Sequence, residues 1–153
     1  SCGYLGDPGG RCRCTTDQIQ RYRSKLSGPL LDRIDLHLTV ARESTSLNCQ
    51  PDALDTSARG AAKVAVARQR QYRRQGCANA FLDLDGLRQH CLLGSSDRLW
   101  LESACERMGL SLRAAHRILK VSRTLADLEG VANIQRGHLA EALQYRPANA
   151  QPD

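Results

Sequence analysis

The chain has 153 residues, a net charge of +6 and an aromatic content of only 4%. A core with so few aromatic side chains must be built from Leu, Ala, Val and Ile, which favours helices over a sheet-rich fold. No apolar run approaches the roughly 18 residues of a membrane span, so no span is expected, and the N-terminus lacks a charged-then-apolar signal, so nothing marks export. Seven cysteines, an odd number, indicate reduced thiols rather than a disulfide framework. Reduced thiols fit a cytoplasmic protein, which is our expectation, and the basic charge is compatible with nucleic acid or nucleotide partners without requiring them.

The segment 1–14 is rich in Gly, Pro and Cys and is predicted to be a loop. Its three cysteines, Cys2, Cys12 and Cys14, are candidate metal ligands with the spacing C-x9-C-x-C. This spacing is not a standard zinc pattern, and a closed zinc site needs four ligands where this segment offers three. Zinc binding and a loop with unrelated thiols therefore both remain open.

A short helix and one strand are predicted after this loop. Thr15 and Gln18 form a capping box at the start of a helix over Thr15–Leu26. Residues Ile34–Val40, IDLHLTV, alternate apolar and polar side chains, which is typical of a strand with one buried face. A lone strand has no neighbour for its backbone groups, so its pairing partners are missing from this sequence.

Residues 41–55 have no periodicity and are predicted to be a flexible linker. A bundle of about five helices follows, with short loops, and residues 148–153 form a disordered tail. About ninety residues can bury a self-sufficient core, so this bundle should fold alone. The predicted helices run from Thr56 or Ser57 to Gln75, over Asp83–Cys91, over Asp97–Met108 after caps at Ser95 and Ser96, over the central stretch 110–130, and over Gln135–Gln144.

The central helix lies between a good N-cap, Ser111, and a C-terminal stop, Gly130. One predicted stripe is apolar and comprises Ala114, Ile118, Val121, Leu125 and Leu128. A second stripe is basic and comprises Arg113, Arg117 and Lys120. From the pattern alone, the basic stripe is either a solvated surface or a surface that binds an anion.

Two stretches together resemble a known family. LSGPLLDRIDLHL at 26–38 and LSLRAAHRILKVSRTLADLEG at 110–130 are similar to the C-terminal part of the magnesium-chelatase-like AAA+ ATPases of the ComM/YifB type. The opening segment CGYLGDPGGRCRC is similar to the same proteins. The resemblance covers nearly the whole chain except the linker.

The resemblance implies a mainly α fold, in which a helical lid bundle over 56–147 follows a truncated remnant of an AAA+ α/β core over 1–40. That remnant, with one helix and one orphan strand, is expected to be poorly ordered. ATP and Mg²⁺ would bind between core and lid, at the boundary between subunits of a homo-hexamer. The resemblance assigns Arg33 as the arginine finger and Arg113 as the sensor 2 residue that contacts ATP phosphates. Arg117 and Lys120 would support the lid surface or bind DNA.

The chain departs from a whole family member because it has no G-x-x-x-x-G-K-[ST] loop and no acidic Mg²⁺-binding motif. We therefore expect a C-terminal fragment that is monomeric and inactive alone, from a motor that acts on branched DNA in transformation-associated members. One alternative is a stand-alone basic helical module that binds DNA. Another is an ATPase subunit of a true magnesium chelatase in tetrapyrrole synthesis.

Overall fold

The computed structural model describes residues 2–5, 7, 9–25, 30, 33–38, 40 and 57–146. These residues are mainly helical, as predicted, and no strand is found among them. The chain divides into two compact units, Ser1–Cys49 and Gln50–Asp153. The predicted linker 41–55 and tail 148–153 fall on residues that are outside the described ones. The helices whose bounds fall within the described residues are α1 (Thr16–Arg23), α2 (Ser57–Gln75), α3 (Leu84–His90), α4 (Ser95–Arg107), α5 (Leu112–Glu129) and α6 (Arg136–Gln144), with a 3-10 turn at Asn79–Phe81 between α2 and α3.

The first unit contains α1, and the predicted capping box is present at its start. The hydroxyl of Thr15 accepts a hydrogen bond from the backbone N–H of Gln18 at 3.3 Å, and the side chain of Gln18 accepts from the backbone N–H of Thr15 at 3.2 Å. These two bonds satisfy N–H groups that have no partner inside the helix. The helix ends at Arg23 rather than at Leu26, which lies outside the described residues.

The strand predicted over Ile34–Val40 is wrong for the residues of that segment that are described. None of them pairs with another strand, and its apolar side chains are exposed, from 42% at Ile34 to 89% at Val40. The alternating pattern predicts that one face of the segment is buried. A strand also needs a neighbouring strand that pairs with its backbone, and the pattern carries no information about one. Without such a neighbour among the described residues, the segment has no regular structure.

The second unit is built around α5, which contacts α2, α3, α6 and the 3-10 turn. The hydroxyl of Ser111 accepts from the backbone N–H of Ala114 at 3.2 Å, and Gly130 ends the helix in a left-handed conformation with φ +90°. Both caps were predicted from the sequence. The core around α5 is aliphatic and comprises Leu82, Leu87, Leu101, Ile118, Ile134, Leu139, Ala142 and Leu143.

The buried face of α5 differs from the predicted apolar stripe in its last two turns. Ala114 and Ile118 are buried as predicted, but Leu128 is 41% exposed, and Arg123 and Asp127 are buried instead. These turns face α2, which supplies a polar partner, Arg74, for Asp127, while Asp127 in turn pairs with Arg123. A charge can be buried when it is paired and hydrogen-bonded, so the periodicity of apolar residues alone misplaced this face.

Helix α4 begins at Ser95, with Gly94 as its N-cap and no side-chain cap. The prediction that Ser95 and Ser96 cap this helix is therefore wrong. The hydroxyl of Ser96 instead accepts from Arg136 of α6 at 2.9 Å, and Arg136 also pairs with Asp97 at 2.7 Å. A tertiary contact thus uses the hydroxyl that the local sequence assigned to a cap.

No helix in the described residues combines the length and the apolar character needed to cross a bilayer.

Candidate functional site

Arg113 lies in the first turn of α5, directly after the Ser111 cap. Its side chain is exposed, and within the described residues its guanidinium has no hydrogen-bond or ion-pair partner. Backbone N–H groups of a first turn and the positive end of the helix dipole also favour an anion here. The caps and the buried Ala114 and Ile118 fix the helix, so this turn holds Arg113 on a rigid support.

A largely apolar groove of about 750 Å³ lies beside this turn. It passes between α3, α4 and the first half of α5, and its wall includes Leu112 and His116 on either side of Arg113 in the sequence. Leu84, Leu92 and Leu112 are among the lining residues and are 55%, 66% and 74% exposed. The first turn of α5 therefore combines one exposed cation with an adjacent apolar surface.

The other two members of the predicted basic stripe are less exposed than Arg113. The ammonium of Lys120 donates to the backbone oxygen of Ala80 at 3.0 Å and so fastens the 3-10 turn to α5. Arg117 is half-buried and also interacts within the protein. Of the three, the structure leaves Arg113 as the exposed cation.

Arg33, the predicted arginine finger, belongs to the first unit. Its side chain is exposed, and its backbone N–H donates to the backbone oxygen of Leu30 at 3.0 Å, which closes a turn. Arg33 and Arg113 lie in different units.

A buried ionic network that sequence reasoning missed is centred on Asp127 of α5. Its Oδ1 accepts from Arg74 at 2.6 Å and from Arg123 at 3.1 Å, and its Oδ2 accepts from Arg74 at 2.9 Å and from Asn79 at 2.8 Å. Burial alone would raise the pKa of Asp127, but the hydrogen bonds from Arg74 and Asn79 and the charge of Arg123 outweigh it and hold the pKa below its usual range.

Three further hydrogen bonds from arginines extend this network to neighbouring backbone. Arg123 donates to the backbone oxygens of Ala132 at 2.7 Å and Val131 at 2.9 Å, and Arg70 donates to the backbone oxygen of Asp127 at 2.6 Å. The network therefore joins α2, the 3-10 turn, α5 and the loop after α5. The i,i+4 spacing of Arg123 and Asp127 was the available signal, but such a pair usually lies on a surface. The ADLEG part of the central motif thus has a structural role in this fold.

The thiols of Cys2, Cys12 and Cys14 are brought together in the first unit, with all three sulfur atoms within 4.8 Å of one another. The sulfurs of Cys2 and Cys12 are 3.6 Å apart. A hydrogen bond from the backbone of Tyr4, and then one with Cys14, lower the pKa of Cys2 to about 7. Cys91, in contrast, lies in the core of the second unit, where burial raises its pKa to about 11.

Helix α2 presents a basic surface. It has no acidic residue, and all of residues 57–66 are exposed. Lys63, Arg68 and Arg73 are exposed cations distributed around the helix, and we refer to these three side chains together as the basic face of α2. Ala67 and Gln71 are its buried residues, so the C-terminal half carries the packing against the bundle.

Comparisons with known proteins give consistent matches to both units. A family model described as "Magnesium chelatase, subunit ChlI C-terminal" matches residues 54–146, and one described as "Magnesium chelatase, subunit ChlI" matches residues 1–47. The chain is 47% identical over 135 residues to Competence protein ComM of Haemophilus influenzae, covering 88% of this chain and 26% of that protein. It is 43% identical over 139 residues to the uncharacterized protein YifB of Escherichia coli, covering 90% of this chain and 28% of that protein. The chain thus spans little more than a quarter of the length of these relatives.

Proposed function

The chain belongs to the magnesium chelatase ChlI family and is of the ComM/YifB type of AAA+ ATPases, and on this basis we propose that it supplies the lid side of an ATP site. In this proposal the helices of the second unit are the lid, and the full-length protein is a hexameric motor in the cytoplasm that acts on DNA. The 153 residues contain no phosphate-binding loop, so the remaining parts of the ATP site come from elsewhere in the full-length protein.

The observation that carries this proposal is the exposed Arg113 on the first turn of a rigid helix. A guanidinium suits ATP because it stays charged and its planar fork donates two aligned hydrogen bonds to phosphate oxygens. Arg113 would hold the phosphates as sensor 2 and would close the lid over the nucleotide. Mg²⁺ would accompany the nucleotide and neutralise phosphate charge, and no residue of this chain is assigned to hold it.

Arg33 has a different role in the proposal. It would act as the arginine finger, reaching the ATP of the next subunit in the ring and stabilising the charge that develops during phosphoryl transfer. The exposure of its side chain is compatible with this role. This assignment needs the homo-hexamer, because the finger acts on the neighbour's nucleotide.

The test uses the full-length protein with Arg113→Ala. One hydrogen bond to a charged group contributes about 1.5–3 kcal/mol, so kcat/KM for ATP should fall by at least about tenfold. Arg113→Lys keeps the charge but loses the fork, so it should recover only part of the activity. The matched control is Arg88→Ala, which removes another exposed arginine of the same bundle. Its ion-pair partner, Asp85, is also exposed, so the loss of this pair should not disturb the fold.

Unchanged ATP turnover in Arg113→Ala would refute the sensor 2 assignment. Measurable ATPase turnover by the purified 153-residue chain would show that this chain contains a complete ATP site. It would refute the proposal that other parts of the full-length protein are needed to form that site. Thermal unfolding of both variants verifies that the bundle remains folded.

DNA binding by the second unit itself is the second candidate, and the basic face of α2 favours it. The exposed Lys63, Arg68 and Arg73, on a helix with no acidic residue, are suited to neutralise backbone phosphates without reading base sequence. The same face could hold DNA within the motor or in a stand-alone module. ATP-dependent movement along DNA by the full-length protein would distinguish the motor from the module.

A further inference from the structure

The three thiols of the first unit have the spacing of a metal site. Zinc–sulfur bonds are about 2.3 Å long, so two sulfurs at corners of a tetrahedron around Zn²⁺ are about 3.8 Å apart. The sulfurs of Cys2 and Cys12 are 3.6 Å apart, and the sulfur of Cys14 lies within 4.8 Å of both. Only small movements separate this arrangement from three corners of a tetrahedron.

The backbone around the thiols is organised by its own hydrogen bonds. The backbone N–H of Cys2 donates to the sulfur of Cys14 at 3.3 Å, an interaction that suits a thiolate. Gly3, directly after Cys2, has φ +81°, a left-handed conformation that lets the chain turn back so tightly. The Thr15 capping box starts α1 immediately after Cys14, so the third sulfur stands next to a fixed helix end.

The rest of the loop is closed by a second set of contacts. Arg11 pairs with Asp7 through two hydrogen bonds of 2.9 and 2.8 Å, and its guanidinium lies 4.5 Å from the centre of the Tyr4 ring. The backbone N–H of Gly10 donates to the backbone oxygen of Asp7 at 3.0 Å. These contacts form the turn that returns the chain from Cys2 to Cys12, which are ten positions apart.

The arrangement fits a metal better than a disulfide. A disulfide has its sulfurs about 2.05 Å apart and uses two of them, so one of the three thiols would have no role. Soft thiolate ligands favour zinc among the common divalent cations. Zinc is also commonly bound by three protein ligands and one further donor.

We propose that Cys2, Cys12 and Cys14 bind one Zn²⁺, which fastens the N-terminal loop to the start of α1. Each thiol releases its proton to solvent as its zinc–sulfur bond forms, and the fourth position of the tetrahedron is taken by a donor other than these three sulfurs. This site uses neither Arg113 nor nucleotide, so it stands independently of the proposed ATPase function.

The test is a titration of the reduced, chelator-treated 153-residue chain with Co²⁺, whose spectrum reports its ligands. We expect thiolate-to-cobalt charge-transfer bands and the intense visible bands of a tetrahedral site, saturating at one Co²⁺ per chain and abolished by Zn²⁺. Cys2→Ser, Cys12→Ser and Cys14→Ser should each weaken binding by roughly tenfold or more. Cys77→Ser, which changes a half-buried thiol of the second unit, is the matched control and should leave the titration unchanged.

Three results would overturn the proposal. One is the absence of thiolate-to-cobalt bands in the unmodified chain. Another is their persistence when all three residues are replaced by serine. The third is a Cys2–Cys12 disulfide that survives at a reducing glutathione potential, which mass spectrometry would detect and which would indicate a redox pair. The fluorescence of Trp100, which lies in the second unit, reports whether that unit remains folded in the variants.

Discussion

Asp127 is the residue at which the buried ionic network of the second unit converges. Its carboxylate is buried and pairs with Arg74 and Arg123, and removing one member of such a cluster leaves a buried charge without compensation. Asp127→Asn should therefore lower the free energy of unfolding by about 3 kcal/mol or more. Urea unfolding followed by circular dichroism measures this change.

The matched control for Asp127→Asn is Asp85→Asn. Asp85 pairs with Arg88 on the surface of α3, where both side chains are largely exposed at 87% and 79%. Ion pairs of this kind contribute little because water screens them, so the urea midpoint should hardly move. Equal midpoints for the two variants would show that the Asp127 network does not hold the bundle together.

The helices show which parts of this fold the sequence predicts. The caps of α5 were predicted correctly because Ser111 and Gly130 act through bonds within a few residues of themselves. The last turns of α5 were predicted incorrectly because Arg123 and Asp127 are buried only in the presence of α2 and its Arg74. The segment Ile34–Val40 failed for the same reason, since its pattern requires a partner that no local signal provides.

The candidate sites, like the helices, were only partly predicted from the sequence. The resemblance to a family motif singled out Arg113, and the structure adds that its turn is capped by Ser111 and that its side chain is exposed. The spacing of Cys2, Cys12 and Cys14 matched no standard zinc pattern, because their proximity depends on the turn held by Asp7 and Arg11. Residue types are therefore visible in the sequence, while the distances between them depend on loop contacts.

The end of α5 provides a prediction about backbone conformation. Gly130 has φ +90°, and a Cβ at this position would lie 2.9 Å from a guanidinium nitrogen of Arg70. Gly130→Ala should destabilise the bundle by about 1–2 kcal/mol, because an L-residue in the left-handed region carries that steric cost. For a domain of this size, each kcal/mol lowers Tm by about 4–8 °C, which differential scanning calorimetry resolves.

Gly60→Ala is the control for this change. Gly60 lies inside α2, where a Cβ would meet no atom within 4 Å beyond the adjacent backbone of its own helix, and its φ is not left-handed. Alanine is a better helix former than glycine, so this variant should be neutral or more stable. A Tm loss at Gly60 as large as at Gly130 would mean that the backbone conformation is not the cause.

Helix α2 provides a prediction about DNA. Changing Lys63, Arg68 and Arg73 together to Gln removes the basic face of α2, and affinity for duplex DNA should fall. The slope of log K against log salt concentration should become shallower by about 0.9 for each phosphate that the variant no longer neutralises. Fluorescence anisotropy of labelled duplex at several salt concentrations measures both quantities with the 153-residue chain.

The control for the basic face removes the same charge elsewhere. Arg88, Arg98 and Arg107 are exposed on α3 and α4, and changing all three to Gln alters the net charge equally. If binding depends on the basic face, this control should keep most of the affinity and the salt slope. An equal reduction in both triple variants would assign the effect to net charge alone.

At the scale of the whole molecule, the two units differ in what they bury. Among the described residues, every buried hydrophobic side chain lies between Ala67 and Leu143, in the second unit. In the first unit the large hydrophobic side chains that are described include Tyr22, Leu36 and Val40, which are exposed by 54%, 49% and 89%. Burial of apolar surface is the main force that stabilises a fold, so the second unit should be stable by itself.

Separate expression of the two units tests this expectation. Residues 50–153 should unfold in one cooperative thermal transition with coincident far-ultraviolet dichroism and Trp100 fluorescence, because α5 and the Asp127 network join the helices into one core. Residues 1–49, measured without added metal, should show no cooperative transition, since their described side chains provide no comparable core. A gradual loss of signal in residues 50–153 would contradict the prediction, because it would mean that the helical bundle requires residues outside the second unit to fold.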